Sequence, residues 1–384
     1  MKTSPLSILL ICKSLPWKFN GGIQTHVWEL SRALVAEGHQ VAILTGGPYK
    51  QAEKMYDKEG VSIIEIPYFP GRYLKPVSML AEELSFNLAS KRWVRENHKP
   101  FNIIHAQGRS GYLLYSLSVI RPKLITTIHG LIASETKCTK WYDLDTRLHS
   151  LISSRAERKL IEGSRQCVAV SKDLKADLNK RFHQAKLNVI PNGVRFSPQR
   201  AGHFNSCTSR FLFVGRLHPI KGLAPLLTAM AKAPAHICLD IIGDGPQYAV
   251  LKCLIDRNRL GNRIRLLGAH NNESVHRTLP FYRALVLPSY YETQGIVLIE
   301  SNAQAIPVIA SDIPAIRETV EHGVNGLLCD PHDPASFIEA MKYYIKQPAA
   351  AQRMGMAGRE RVIHRYSWDN IVNQTLSVYH KLAV

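Results

Sequence analysis

Short apolar runs rich in β-branched residues alternate with amphipathic helical patterns through both halves of the chain, and this alternation most narrows the folds open to it. A period that switches again and again between strand and helix is what a parallel sheet with crossover helices requires. In the first half the candidate strands are residues 6–12, 41–44, 61–66, 103–106, 124–128, 167–170 and 187–190. Between the first two, Ile23, Val27, Leu30 and Leu34 mark one helical face that ends at Gly38. Residues 196–209, with Pro198 and Gly202, break the period and read as an interdomain linker. A second series follows at 211–214, 237–242, 264–267, 284–287 and 307–310, and the sequence from Pro334 onward is mainly helical. At 384 residues the chain exceeds what one core organises, so two doubly wound α/β domains are expected. Their strand carboxyl ends, where such sheets bind ligands, would face one cleft.

The apolar run at 6–12 is far short of the ~20 residues a spanning helix needs and has no secretory cleavage pattern after it. Seven cysteines form no CxxC pair, which fits free thiols in a reducing cytoplasm. The net charge of +19 favours polyanionic partners, and residues 1–195 carry 29 Lys and Arg against 16 Asp and Glu. No RNP, zinc-finger or helix-turn-helix signature accompanies that charge, so nucleic acid is not an expected partner.

Three stretches carry chemistry. Gly21 and Gly22 open a helix after the first strand, leaving bare amides for a phosphate, although two glycines alone are equally a tight turn. In "FLFVGRLHPIKGLAPLL" a strand is followed by Arg216 and Lys221, two cations at a strand's carboxyl end that suit a diphosphate. The alternative is two solvated surface charges. In "LPSYYETQGIVLIESNAQAIPVIASD" Glu292 lies in a loop, and Glu300, after seven intervening residues, lies on the helix that starts near Gly295. A loop carboxylate can take sugar hydroxyls, and one on the second helical turn can grip both hydroxyls of a ribose. The amides of Gln294, Gly295, Ile296 and Val297 between them are placed for anionic oxygens. As alternatives, Glu292 would be a capping carboxylate and Glu300 an exposed helix residue, yet Val297, Leu298 and Ile299 surround Glu300 with apolar neighbours. By chemistry alone this is a site for a phosphorylated, hydroxyl-rich ligand.

Four patterns in order then bring a resemblance into view: "GGIQTHVWELSRALVAEGHQVAILTGG", "VAVSKDLKADL" with "VIPNGV", "VGRLHPIKG", and the E-x7-E segment followed by "PVIASDIPAIRETVEHGVNGLLCDPHDP". Over nearly its whole length the chain resembles family 4 of the glycosyltransferases, of the "glycosyl transferases group 1" type, retaining enzymes of the GT-B fold with two Rossmann-like domains facing a cleft. The resemblance implies an N-terminal, acceptor-side domain over 1–195, a linker over 196–209, a donor-side domain over 210–365, and a C-terminal helix over 366–384 that packs back toward the first domain. It implies a hexosyltransferase using a nucleoside-diphosphate sugar, with Gly21 and Gly22 near the donor phosphates, Arg216 and Lys221 on them, Glu300 on ribose and Glu292 at the transferred sugar. His129, in "ITTIHG" at a strand end, would lie by the reaction centre; a lone histidine is otherwise structural.

Two departures from the family pattern stand out. Where the family has Glu-Gly-Phe-Gly, this chain has Glu292-Thr293-Gln294-Gly295, and Arg195 stands where an acid is usual after Pro191-Asn192-Gly193-Val194. No metal or other cofactor is expected, because Asp143 and Asp145 form a D-x-D pair that reads as helix-start carboxylates and the donor loop carries its own cations. The acceptor implied is a glycan, lipid-linked or phosphorylated molecule of cell-envelope polysaccharide, lipopolysaccharide or glycolipid synthesis. Tyr68, Arg72 and Lys75, and Trp93 among Lys91, Arg92 and Arg95, would either touch an anionic membrane from the cytoplasm or turn their aromatic rings into the core. A nucleotide-sugar epimerase or hydrolase of the same architecture is the rival reading.

Overall fold

The computed structural model describes residues 4–383 except 20, 72, 73, 75, 76, 133, 135–143, 184 and 197–207. Most of the expected linker, Asp143, Arg72 and Lys75 therefore lie outside the described residues. The chain divides into two compact units, Met1–Gly193 with Trp368–Val384, and Val194–Ser367.

The first unit is built on eight strands: β1 (Ser7–Ile11), β2 (Gln40–Gly47), β3 (Lys54–Lys58), β4 (Val61–Pro67), β5 (Ile103–Gln107), β6 (Leu124–Ile128), β7 (Gln166–Ala169) and β8 (Leu187–Val189). They are ordered β3-β4-β2-β1-β5-β6-β7-β8, and β1 pairs in parallel with β2 on one side and β5 on the other. The strand direction of travel across the sheet therefore reverses at β1, and β1 is apolar and buried on both faces because helices cover both. Helix α1 (Gly22–Ala36) seats Val27, Leu30 and Leu34 on one face of the sheet, where Ile371, Val372, Val378 and Tyr379 of the C-terminal helix Trp368–Ala383 join the same core. Phe86, Trp93 and Val94 of α2 (Ser78–Asn97) and Leu160 of α3 (Leu144–Gly163) fill the other.

The second unit carries β9 (Arg210–Val214), β10 (Cys238–Ile242), β11 (Ile264–Gly268), β12 (Leu285–Leu287), β13 (Val308–Ser311) and β14 (Gly326–Cys329), all parallel, in the order β11-β10-β9-β12-β13-β14. Counted within the unit this is 3-2-1-4-5-6, the doubly wound order, with its reversal between β9 and β12, which meet at Leu212 and Leu285. Helices α4 (Leu223–Lys232), α5 (Asn272–Thr278) and α6 (Ile296–Ala303) follow β9, β11 and β12.

Two strands were not expected from the sequence. β3 is mostly exposed and pairs antiparallel with β4, so it shows neither an apolar run nor a crossover helix. β14 is a four-residue edge strand whose partner β13 supplies the core contact. Trp93 takes the core reading: it is buried, and its indole N–H donates to Glu53 Oε1 at 3.0 Å.

Candidate active site

In the second unit the reversal between β9 and β12 leaves two loops side by side, one carrying Arg216 and Lys221 and the other Glu292. They are stitched together by Tyr290 N–H, which donates to Ile220 O at 2.7 Å. The approach is so close that a Cβ on Gly222 would stand 2.0 Å from Pro288 O, and Gly222 also has φ +66°. Only glycine satisfies both conditions.

Contact between the loops brings Lys221 Nζ to 2.5 Å from Glu292 Oε1, with both side chains mostly covered. Ser289 Oγ donates to the same oxygen at 2.8 Å. Glu292 does not cap a helix, since the cap of α6 is Gly295, whose φ of +72° turns the chain into the helix without a side-chain hydrogen bond. The first-turn amides of α6, at Ile296 and Val297, are thereby left to whatever anion approaches. Gln294 is buried just before them, and its carbonyl accepts from Thr319 Oγ1 at 3.4 Å.

Glu300 is buried, which rejects the exposed-residue reading. Its Oε1 accepts from Asn272 Nδ2 at 2.7 Å, and His276 Nε2 of α5 lies 3.6 Å away. Arg216 is exposed, and its guanidinium makes no ion pair or hydrogen bond among the described residues, although its carbonyl accepts from His218 N–H at 2.9 Å. His218 between the two cations has its pKa lowered by burial and by the charges of Arg216 and Lys221, which disfavours a third positive charge in the loop. This is a balanced electrostatic device: one cation matched to a carboxylate, one open, and a second carboxylate oriented by the Asn272 amide.

The first unit places Gly21 at the extended N-cap of α1, again with no side-chain cap, and Gly22 as the first helical residue. His129 follows the last residue of β6 and forms part of a polar cluster that the sequence alone did not reveal. Its Nε2 is 3.0 Å from Gln107 Oε1, and its ring stands edge-on to His26 at 5.3 Å. His105 on β5 is 2.6 Å from Tyr379 Oη through Nδ1 and 2.7 Å from Thr127 Oγ1 through Nε2. Burial drives the pKa of His26 down to about 4 and that of His105 down to about 3, with His26 adding to the latter. His129 is held well below the ordinary value by burial, then by His26 and His105. A cavity of about 10 Å³, the space of about one water, lies against His26, His105, Thr127 and Tyr379. A larger one, about 250 Å³, opens beside the ends of β1 and β5 among Lys13, Glu82, Glu83, Arg109 and His149.

Among the described residues no group of three or more His, Cys, Asp or Glu could hold a metal ion. No helix among them is long and apolar enough to cross a membrane.

Comparison with known proteins agrees with this architecture. Residues 20–197 match the family model described as Glycosyltransferase Family 4, and residues 199–361 match Glycosyl transferases group 1. The chain is 26% identical over 399 residues to a glycogen synthase of Mycobacterium tuberculosis, covering 97% of this chain and 94% of that protein. It is 26% identical to a phosphatidyl-myo-inositol mannosyltransferase of Mycobacterium leprae, covering 98% and 97%. The structure of a sucrose-phosphate synthase from Thermosynechococcus elongatus superposes with a TM-score of 0.84 at 24% identity, over 98% of this chain and 99% of that one. With both halves matched and the doubly wound sheets in place, the chain belongs to the group 1, family 4 glycosyltransferases of the GT-B fold.

Proposed function

We propose that the protein is a retaining hexosyltransferase that moves a hexose-type sugar from a nucleoside-diphosphate sugar to a glycan, lipid-linked or phosphorylated acceptor in cell-envelope polysaccharide, lipopolysaccharide or glycolipid synthesis. The observation that carries this reading is the Lys221–Glu292 pair beside the open Arg216 at the reversal between β9 and β12. A doubly wound sheet binds its ligand at that place. Arg216 and Lys221 hold the diphosphate and stabilise it as it leaves, and the bare first-turn amides of α6 assist. Glu292, already hydrogen-bonded by Ser289, accepts from sugar hydroxyls while keeping Lys221 in place. Glu300 takes the ribose hydroxyls through the oxygen that Asn272 does not occupy. In the first unit Gly21 and Gly22 meet the phosphates and His129 meets the transferred sugar. These cations make a metal ion or other cofactor unnecessary.

Acceptors enter, on this reading, through the larger cavity of the first unit, whose paired cations and carboxylates suit a hydroxyl-rich molecule. The protein works in the cytoplasm at the membrane's inner face, with the exposed Arg92 and Arg95 contributing to attraction. The decisive experiment is a thermal-stabilisation screen of uridine, guanosine and adenosine diphosphate sugars, since binding raises apparent stability by mass action. One base should stabilise the protein and support transfer to an added glycan. No stabilisation by any of them, or consumption of donor with no acceptor glycosylated, would overturn the reading.

A further inference from the structure

Gln107 stands between two histidine rings that the transfer chemistry does not obviously need to connect. It is buried at 1% exposure, with its Nε2 at 3.3 Å from His105 Nε2 and its Oε1 at 3.0 Å from His129 Nε2. A primary amide offers an acceptor at its oxygen and donors at its nitrogen. The oxygen can meet only a ring N–H, and the nitrogen can meet only a ring lone pair. In the orientation observed, His129 carries its proton on Nε2, while His105 has a bare Nε2 and a proton on Nδ1, directed at Tyr379 Oη. Rotating the amide by half a turn reverses both assignments together. Either way the two Nε2 atoms must differ.

We propose that Gln107 ties His105 and His129 to opposite tautomers, so that Tyr379 on the C-terminal helix biases which nitrogen of His129 carries a proton. Gln107, His105 and Tyr379 are positioning residues in this scheme, acting on His129 and through it on the sugar. The scheme deepens the transferase reading and rests on it only for the role of His129. Two further neighbours fit neutral rings. Thr127 Oγ1, 2.7 Å from His105 Nε2, donates or accepts and so serves either assignment. His26 on α1 faces His129 and is itself buried. Among these neighbours there is no carboxylate to stabilise an imidazolium, and burial holds all three rings neutral. A sugar hydroxyl arriving at His129 would therefore meet a donor or an acceptor fixed in advance, with no net charge.

The test is histidine side-chain ¹⁵N correlation spectroscopy on the full chain without ligand at neutral pH, which distinguishes Nδ1–H from Nε2–H directly. Opposite tautomers are expected for His105 and His129, with neither ring charged. Gln107→Leu should shift the His129 tautomer ratio away from that of the parent. Tyr379→Phe, which keeps the ring and removes only the hydroxyl, should move the His129 tautomer population about fivefold, the worth of one ordinary hydrogen bond. The same tautomer in both rings, or a His129 spectrum unchanged in both variants, would overturn the coupling. Because the parent protein alone reports the pairing, a poorly folded variant does not spare the proposal. Donor titration by calorimetry on the same samples separates the two readings: opposite tautomers without donor binding uphold the coupling and remove the sugar role, and donor binding with uncoupled tautomers removes the coupling alone.

Discussion

The loops after β9 and β12 and the histidine cluster behind β5 and β6 solve opposite electrostatic problems. In the second unit, charge is retained by pairing: Lys221 rests on Glu292, and Asn272 orients Glu300. In the first unit, charge is excluded by burial, and His26, His105 and His129 are left with only tautomers to exchange. The difference shows what each set is fitted for. Charged pairs near a strand's carboxyl end can be re-partnered by an anionic ligand at small cost, because one favourable contact replaces another. A neutral cluster cannot attract such a ligand, but it can present a hydrogen bond of fixed sense.

The largest effect expected of breaking this contrast is at Lys221. Lys221→Ala should lower turnover about 10²- to 10³-fold with the donor found by screening, the usual loss for one preorganised charge-stabilising donor. Steady-state kinetics decides. A change of only a few-fold would mean that Glu292 keeps the lysine for structure alone.

Acid should then separate the units. The folded pKa values of His26 and His105, about 4 and about 3, lie below the ordinary 6.5, so the unfolded chain takes up protons first as pH falls. Their contribution to stability is complete above pH 6.5 and is lost progressively toward pH 4, a loss of roughly 3 kcal/mol for His26. The second unit has one half-buried histidine held low in the same way, His218, but the carboxylate at the centre of its sheet behaves otherwise. Burial pushes the Asp240 carboxyl up, but Arg265, Tyr282 and Arg210 outweigh it and hold its pKa below the ordinary 3.8. Its contribution persists until the pH falls past that value. Hydrogen exchange between pH 6.5 and 4.5 should therefore show β5, β6 and the C-terminal helix losing protection before β9 and β10. Simultaneous loss would refute the contrast.

Much of this was open to a reader of the sequence, and what was hidden has identifiable causes. The alternation of apolar runs with helical faces is a local property, so both doubly wound sheets could be anticipated, whereas the exposed β3 leaves no such trace. The E-x7-E spacing could be read because both glutamates sit within one loop-to-helix passage. That Lys221 reaches Glu292 could not be read, because it depends on β9 and β12 being neighbours across 71 residues of chain. His26 lies four residues before Leu30 on the same face of α1, so its burial has a local signal in the helical period. His105 had one too, in a strand buried at every position. Gln107 had none, since its importance lies in two ring nitrogens brought together by β5 and β6.

A conservative change at Glu300 probes the charged side more gently than Lys221→Ala. Glu300→Gln keeps the shape but removes the charge, and hydrogen bonds to charged groups contribute about 1.5 to 3 kcal/mol. Donor affinity should fall about 10- to 100-fold, read by calorimetry, with turnover at saturating donor changing less. An unchanged affinity would place the ribose elsewhere.

The smallest effect should come from Asn272, which touches Glu300 and no reacting group in the proposed mechanism. Its amide holds Oε1 at 2.7 Å, and His276 Nε2 at 3.6 Å is too far away to make a full hydrogen bond in its place. Asn272→Ala would leave the buried carboxylate free to rotate, so part of the binding energy would go into ordering it again. Donor affinity should fall about threefold to tenfold with turnover unchanged, the pattern of lost binding rather than lost transition-state stabilisation. A fall as large as that of Glu300→Gln would show that the two residues act as one unit. No fall at all would show that the protein around Glu300 fixes its orientation without Asn272, and the charged site would then share the built-in rigidity proposed for the neutral one.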